Sequence, residues 1–259
     1  MAVAGQKRNK KKILVIDVGG THIKVRATGQ REERKIPSGS LMTASKMARE
    51  AKRLVKDWEY DLVSIGYPGP VVHGRPLHEP HNLAGGWVGF DFGKAFGRPV
   101  RVINDAAMQA LGSYEGGRML FLGLGAGLGS AMIVDGTLEP MELAHLPYKN
   151  GRTYEGYVGL RGIKRLGKKQ WRRCVSDVVQ RFQNAFCAEY VVLGGGNAKK
   201  VKKLPPGARL GDNRNAFIGG VRLWKTKSDG SYKPARVMTL PAHTWSGASQ
   251  KSAAPAPAI

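Results

Sequence analysis

Cysteine, acidic residues and long apolar segments are all scarce in this sequence. Its 259 residues include two cysteines, Cys174 and Cys187, which cannot build a disulfide framework or a spaced metal cluster. No apolar run approaches the roughly 20 residues that a membrane span requires. The N-terminus, MAVAGQKRNKKK, is basic but lacks the apolar stretch of a signal peptide. We therefore expect a soluble cytoplasmic protein without membrane association.

The shortage of acidic residues leaves a large positive charge. There are 42 Lys and Arg against 19 Asp and Glu, which gives a formal net charge of +23. An excess of this size is typical of proteins that meet polyanions, such as nucleic acid, anionic lipid or polyphosphate. Charge alone does not choose among these partners and says nothing about the fold.

The apolar pattern divides the chain into a folded part and two polar ends. Residues 1–10 are predicted to be a disordered basic arm, and residues 225–259, rich in Pro, Ala, Ser and Lys, a largely disordered tail. Between them, strand patterns such as KILVID and EYVVLG alternate with helical patterns such as the one from Met47 to Trp58. This alternation predicts an α/β fold with mixed sheets.

Four further local predictions can be compared directly with the structure. HIKVRA alternates as the hairpin partner of KILVID. AAMQALGSYEGG is typical of a helix closed by Gly116 and Gly117. Residues 170–187 have the spacing of an amphipathic helix, and LGGGNAKK predicts a glycine turn that opens another helix.

The stretch IDVGGTHIKV joins a strand to a bare turn. Asp17 ends the strand, where open α/β sheets bind ligands, and Gly19 and Gly20 let backbone N–H groups approach an anion. Thr21 adds a hydroxyl and Lys24 a cation, while Asp17 can hold a hydrated Mg²⁺. A plain hairpin turn explains the same residues, and both interpretations remain open.

Two more glycine turns follow. GLGAGLGSA has glycine at alternate positions 123, 125, 127 and 129 between two strands, which removes the side chains from one face of the turn. Gly194, Gly195 and Gly196 follow another strand. Each turn could cradle phosphate oxygens, although a flexible hairpin and a close helix–strand crossing are the respective structural alternatives.

In this order, the motifs resemble the ROK family of sugar kinases in the actin-like ATPase superfamily, and within it the polyphosphate glucokinase branch. The segments that carry the resemblance, between about residues 13 and 220, are IDVGGTHIKV, GYPGPV, HNLAGGW, INDAAMQALG, LGLGAGLGSAMIVDG, ELAHL, VVLGGG and NAFIGG. The resemblance implies a two-lobed actin-like (ribonuclease H-like) fold. Residues 11–104 would form a small lobe and 105–224 a large lobe, with the last helix able to return to the small lobe.

The resemblance also implies a reaction. A phosphoryl group would pass from polyphosphate and/or ATP to the 6-hydroxyl of glucose or a related hexose, with Asp105 as general base and Mg²⁺ as cofactor. Without the resemblance, a helix N-cap is the better explanation of Asp105, and the resemblance reverses that preference. The sugar-binding residues implied by the resemblance are Asn82, Asn104, Glu142, His145 and Glu155. Trp87 is expected to pack in the core, and a homodimer is the family expectation.

Some residues depart from the family pattern. The segment after His145, LPYKNGRTYEGYVG, has no cysteine, so no structural zinc is expected. Ala107 stands where the family usually has a polar residue, which leaves the sugar open. The residues before Ile13 are too few for a winged helix, so a repressor and nucleic-acid binding are not expected.

The remaining question is which phosphoryl donor, polyphosphate or ATP, the protein would use. Residues 161–173 hold seven Lys or Arg and no acid, and residues 199–203 hold four more. Such a basic track would bind polyphosphate in a salt-dependent way, although a solvated basic face is the simpler explanation. The alternatives are an ATP-only ROK hexose or amino-sugar kinase and a noncatalytic sugar- or nucleic-acid-binding protein of the same fold.

Overall fold

The computed structural model describes residues 11–212 and 214–225. The predicted basic arm at 1–10 and nearly all of the predicted tail lie outside these residues. Only Lys225 of that tail is described, in a 3₁₀ turn at Leu223–Lys225. In the described part of the chain, no helix is both long enough and apolar enough to cross a membrane.

The first sheet contains the N-terminal strands. Its order across the sheet is β3 (Arg34–Pro37), β2 (His22–Ala27), β1 (Ile13–Val18), β4 (Leu62–Tyr67) and β7 (Val100–Asn104). β1 and β2 form the predicted antiparallel hairpin, in which Asp17 lies opposite Lys24. β1, β4 and β7 are parallel, so their carboxyl ends meet at one edge of the sheet.

The second sheet contains the later strands. Its order is β10 (Thr137–Met141), β9 (Leu128–Val134), β8 (Arg118–Leu124), β13 (Tyr190–Gly194) and β14 (Ala208–Leu210). β8 and β9 form an antiparallel hairpin around the second glycine turn, and β13 runs parallel to β8. Both sheets are mixed, as predicted. Two small ladders, β5 (Val71–Val72) with β6 (Arg75–Pro76) and β11 (Pro147–Lys149) with β12 (Arg152–Thr153), complete the strands.

Six α-helices connect and cover the sheets in the described residues. They are α1 (Ala44–Leu54), α2 (Phe92–Phe96), α3 (Asp105–Ser113), α4 (Tyr154–Val158), α5 (Leu160–Ala185) and α6 (Asn215–Arg222). α1 packs on one face of the first sheet through residues such as Met47 and Ala51, against Leu14 and Ile16. The opposite face of that sheet contributes Val15 to a cluster with Met108 of α3 and Ala216 of α6.

Two helix predictions were wrong and one was incomplete. α3 ends at Ser113, before Gly116 and Gly117. The predicted helix at residues 170–187 is the part of α5 that follows a non-helical break at Gly167 (φ 70°, ψ 162°) and ends at Ala185, whereas the helical segment before the break, from Leu160, was not predicted. The third glycine turn leads only to a 3₁₀ turn, Ala198–Lys200, and the prolines of the following segment KKLPP cannot continue an α-helix.

α3 contacts both sheets. Ala107 and Leu111 belong to a cluster with Phe121 of the second sheet, whereas Met108 faces the first sheet. α6 crosses α3 so closely that a Cβ added at Gly219 would lie 1.7 Å from the Met108 carbonyl oxygen. Only glycine permits this distance between the two backbones, so the crossing depends on it.

We predict that Gly219→Ala lowers the free energy of unfolding by about 2–3 kcal/mol, because the methyl group must push α6 away from α3. In a helix without this contact, alanine would instead stabilise by about 1 kcal/mol. Urea denaturation measures the difference. The control is Gly85→Ala, whose Cβ would meet nothing closer than 3.9 Å. A Gly219→Ala protein as stable as the wild type would contradict the close crossing.

Candidate active site

The candidate site forms where the parallel strands of the first sheet end. Asp17 of β1 is in register with Gly66 of β4, and the next residue of β4, Tyr67, is in register with Asn104 of β7. Asp105 follows Asn104 as the first residue of α3. The strand order therefore brings Asp17 and Asp105 to the same edge, although 88 positions separate them in the sequence.

Asn104 holds the start of α3. Its side-chain oxygen accepts a hydrogen bond from Ala107 N (3.0 Å), and its amide nitrogen donates to Gly69 O (3.0 Å). Asn104 is the N-cap of α3, so the alternative that Asp105 serves as the N-cap is wrong. These contacts of the buried Asn104 side chain position the first turn of α3, and with it Asp105.

Asp105 lies in a largely desolvated position. Burial raises the pKa of its carboxyl to about 7, and the charge of Asp17 and then that of Glu142 add to the rise. The Ala106 N–H, 2.8 Å from Oδ1, opposes it by stabilising the carboxylate. A carboxyl group that titrates near neutral pH can accept a proton from a weakly acidic group.

Asp17 is the second carboxylate of the edge. Its side chain is 17% exposed and forms an ion pair with Lys24 at 3.8 Å. Burial raises the pKa of Asp17, and Lys24 partly offsets this effect. Asp17 and Asp105 thus repel each other when both are ionised, and a cation or a proton between them would relieve that repulsion.

Glu142, His145 and Glu155 lie together beside the second sheet. The backbone next to Glu142 is held by Ser130, whose hydroxyl donates to Met141 O (2.8 Å) and accepts from Leu143 N (3.2 Å). Glu155 N donates to Ala144 O at 3.0 Å. Burial raises the pKa of Glu142, His145 opposes the rise and Glu155 adds to it, which indicates that the three charges are close.

The glycines of the second hairpin do not all face open space. A Cβ at Gly127 would lie 2.2 Å from Glu155 Oε2, and a Cβ at Gly129 would lie 2.8 Å from Ala106 Cβ. At Gly125 there is nothing within 4 Å of the added Cβ. Two of the predicted phosphate-binding glycines therefore make room for protein, and Gly125 marks the open part of the turn.

The third glycine turn shows the same division. A Cβ at Gly194 would lie 2.4 Å from the Phe121 ring, and one at Gly195 would lie 2.7 Å from Leu124 O. Gly196 is open. Asn197, which sequence reasoning missed, joins this turn to the second hairpin through a 2.9 Å hydrogen bond from its amide nitrogen to Gly125 O. An asparagine directly after three glycines was the only available signal.

Asn82 lies against the first glycine turn. A Cβ at Gly20 would be 3.3 Å from Asn82 Cβ, while Gly19 closes the turn by donating to His22 O at 3.2 Å. Thr21 is exposed at the tip of this turn. The sequence-predicted residues of the first turn and Asn82 are thus neighbours.

Glu79 and Trp87 fix the loop that carries Asn82. The Glu79 carboxylate accepts from Trp87 N (3.0 Å) and Val88 N (3.2 Å), and these backbone donors, Trp87 first, lower its pKa. The Trp87 ring is fully buried, as expected for packing. Sequence reasoning missed Glu79, because nothing in its local pattern shows that it binds backbone eight residues away.

The described residues contain no group of three or more His, Cys, Asp or Glu side chains arranged to hold a metal. Asp17 and Asp105 supply oxygen ligands of the type that Mg²⁺ prefers. Two carboxylates suit a hydrated Mg²⁺ whose other ligands are water and a phosphate-bearing ligand. The site therefore suits a metal ion that binds together with the phosphate-bearing ligand.

We predict that Asp17→Asn lowers the pKa of Asp105 from about 7, because one of the negative charges that raise it is removed. The pKa should stay above the ordinary aspartate value, since burial is the larger cause. Carbon-13 NMR titration of labelled aspartate carboxyls measures the shift. Asp135→Asn, an exposed change in the β9–β10 turn, should leave the pKa of Asp105 as it is. An unchanged pKa in Asp17→Asn would show that the two carboxylates do not interact.

Comparison with known proteins gives consistent matches. A sequence model of the ROK family matches residues 13–140. The polyphosphate glucokinase of Mycobacterium tuberculosis (strain CDC 1551 / Oshkosh) is 28% identical over 230 residues, which cover 78% of this chain and 83% of that protein.

Solved structures with the same architecture also match. The inorganic polyphosphate/ATP-glucomannokinase from Arthrobacter sp. strain KM superposes with a TM-score of 0.71 at 26% identity, covering 82% of this chain and 97% of that one. A ROK family glucokinase from Streptomyces griseus, in complex with glucose and AMPPNP, gives a TM-score of 0.65 at 16% identity and covers 81% and 97% of the two chains. At that identity the second likeness concerns the fold alone.

Proposed function

The chain belongs to the ROK family, and we propose that it phosphorylates the 6-hydroxyl of glucose or a related hexose with polyphosphate and/or ATP. A phosphotransferase activity agrees with the names of its relatives. The observation that carries the proposal is Asp105, a carboxyl with a pKa near 7 that interacts electrostatically with both Asp17 and Glu142. Asp17 is expected to bind the phosphoryl donor through the metal, and Glu142 is expected to bind the sugar.

In this proposal Asp105 acts as the general base. Its ionised carboxylate accepts the proton of the sugar hydroxyl while that oxygen attacks phosphorus. Glu142, His145, Glu155 and Asn82 hold the other hydroxyls, which must keep their hydrogen bonds when the sugar is buried. Little covalent chemistry falls to the protein, so the positions of these side chains determine the rate.

Asp17 would hold Mg²⁺ through water. The positive charge of the metal would also stabilise the ionised Asp105, which interacts electrostatically with Asp17. When bound with the donor, the metal supplies charge neutralisation for the phosphoryl oxygens. The protein supplies Lys24, which already pairs with Asp17 at 3.8 Å, and the backbone of the first glycine turn beyond Gly19, whose own N–H already donates to His22 O. The homodimer and the cytoplasmic location that the family implies stay predictions.

The two basic segments support an anionic polymer as donor because they adjoin. Arg172 Nε of α5 donates to Lys200 O at 2.7 Å, which joins residues 161–173 to residues 199–203. Arg214 hydrogen bonds lower the pKa of Asp212, and Lys199 contributes to the same shift. Arg214 in turn lines a small cavity with Asp17 and Lys24. Arg214, which is itself paired with Asp212, thus lies between the second basic segment and the carboxylate edge.

The rival functions make different use of these residues. An ATP-only kinase would need Asp105 but not the exposed cations of α5. A noncatalytic sugar-binding protein would need neither, and a desolvated carboxyl with a pKa near 7 would then be a cost without a role. The raised pKa of Asp105 favours an enzyme.

We predict that the wild type forms glucose 6-phosphate and that Asp105→Asn loses about 10²–10⁴-fold in kcat while it still binds glucose. A coupled glucose-6-phosphate assay and calorimetry with glucose measure the two effects. Wild-type kcat/KM should rise through about pH 7, because the carboxylate form is the active one.

Asp135→Asn is the matched control and should keep full activity, since this exposed aspartate lies in the β9–β10 turn. Unchanged turnover in Asp105→Asn would exclude its role as base. Absence of turnover by the wild type with every hexose and donor tried would favour the binding protein.

For the donor, we predict that Lys164→Gln/Lys168→Gln/Lys169→Gln raises the KM for long-chain polyphosphate several-fold more than the KM for ATP. These three lysines are exposed, whereas Arg165 is held by Gly156 O and is left intact. The effect should shrink as salt rises, because screening already weakens these contacts. Steady-state kinetics with each donor at several salt concentrations give the comparison.

The control for this triple variant removes the same charge elsewhere, at the exposed Lys11, Lys56 and Lys94. If both triple variants change the polyphosphate KM equally, the α5 segment is only a solvated basic face. If wild-type turnover requires ATP, the ATP-only alternative replaces the polyphosphate donor.

A further inference from the structure

Lys200 is the member of the second basic segment whose ammonium group is fixed in place. Its Nζ donates to Asn197 Oδ1 at 2.5 Å, and its backbone N–H donates to Asn197 O at 2.9 Å. Its carbonyl oxygen accepts from Arg172 Nε at 2.7 Å. Both the backbone and the charged end of Lys200 are therefore held, whereas Lys202 and Lys203 are exposed.

Asn197 can hold Lys200 in only one amide orientation. Its nitrogen donates to Gly125 O (2.9 Å), an acceptor, and its oxygen accepts from Lys200, a donor. The flipped amide would place oxygen against oxygen and N–H₂ against the ammonium group. Asn197 is 8% exposed, and its own N–H donates to Leu124 O at 2.8 Å. Its side chain is therefore fixed from both sides.

This arrangement places a full positive charge beside the open part of the glycine turns. Asn197 links Lys200 to Gly125, and both Gly125 and Gly196 have no atom within 4 Å of an added Cβ. A lysine ammonium has three N–H donors, and Asn197 uses one of them. Among residues 11–212 and 214–225, Lys200 is paired with no carboxylate, so its charge is not neutralised.

We propose that Lys200 binds a phosphoryl group of the donor at the open face of Gly125 and Gly196, and that Asn197 is its positioning residue. This inference rests on the proposed kinase function and names one residue of its donor site. A fixed ammonium binds phosphate with less loss of side-chain entropy than a free surface lysine. The amide partner fixes the ammonium without cancelling its charge, which an aspartate would do.

The test compares Lys200→Met with Lys56→Met, which removes the same charge from an exposed position outside both basic segments. Lys200→Met should raise the KM for the donor, and the Kd for tripolyphosphate in calorimetry, by about tenfold or more, as expected for a lost charged hydrogen bond. The KM for glucose should change less than about twofold. Lys56→Met should change donor affinity less than about twofold, as an exposed, screened charge does.

Asn197→Asp is the second variant, because it keeps an acceptor for Lys200 but adds a negative charge there. It should weaken tripolyphosphate binding at least as much as Lys200→Met and leave the KM for glucose within about twofold, whereas a general structural disturbance of the turn would change both. Equal donor affinity in Lys200→Met and Lys56→Met, or a loss confined to glucose, would overturn the proposal. If the wild type shows no turnover but Lys200 still controls tripolyphosphate binding, the kinase function fails and the phosphate site stands.

Discussion

The contact of the first turn of α3 with both sheets is the constraint on which the candidate site depends. A Cβ at Gly66 of the first sheet would lie 2.4 Å from Met108 Cε, and one at Gly129 of the second sheet would lie 2.8 Å from Ala106 Cβ. The Asn104 side chain fastens the same turn to Gly69. Asp105 is therefore located by close packing of this turn, whose Met108 and Ala106 side chains meet the strand backbones at Gly66 and Gly129.

The same packing means that ionisation of Asp105 lowers the stability of the folded protein. Burial raises its pKa to about 7, so the folded state prefers the protonated form more strongly than the unfolded chain does. The corresponding stability is complete below the ordinary aspartate pKa and is lost as pH rises through about 7. The chain thus gives up stability in the pH range where the carboxylate can act as a base, a trade found at many active sites.

The sequence predicted what depends on local pattern and missed what depends on contacts across the sheets. Apolar runs ending at Asp17 and Asn104 located the strands, and the order of the motifs identified the actin-like fold, which the solved ROK structures confirm. It did not reveal that Glu155 fills the space at Gly127, because spacing along a chain does not say which distant side chain occupies a gap. The first turns of α5 contain Gly162 and Gly167, which are poor helix formers, so its start was also missed.

Net charge has the same limitation, because a count of cations does not say which of them can bind an anion. Arg214 is paired with Asp212, and Arg181 with Asp177, so their charges are largely neutralised. Lys200 and Arg172 are held instead by an amide oxygen and a carbonyl oxygen, which fix a cation without cancelling its charge. An electrostatic site for phosphate therefore depends less on how many lysines a surface carries than on which neutral groups hold them.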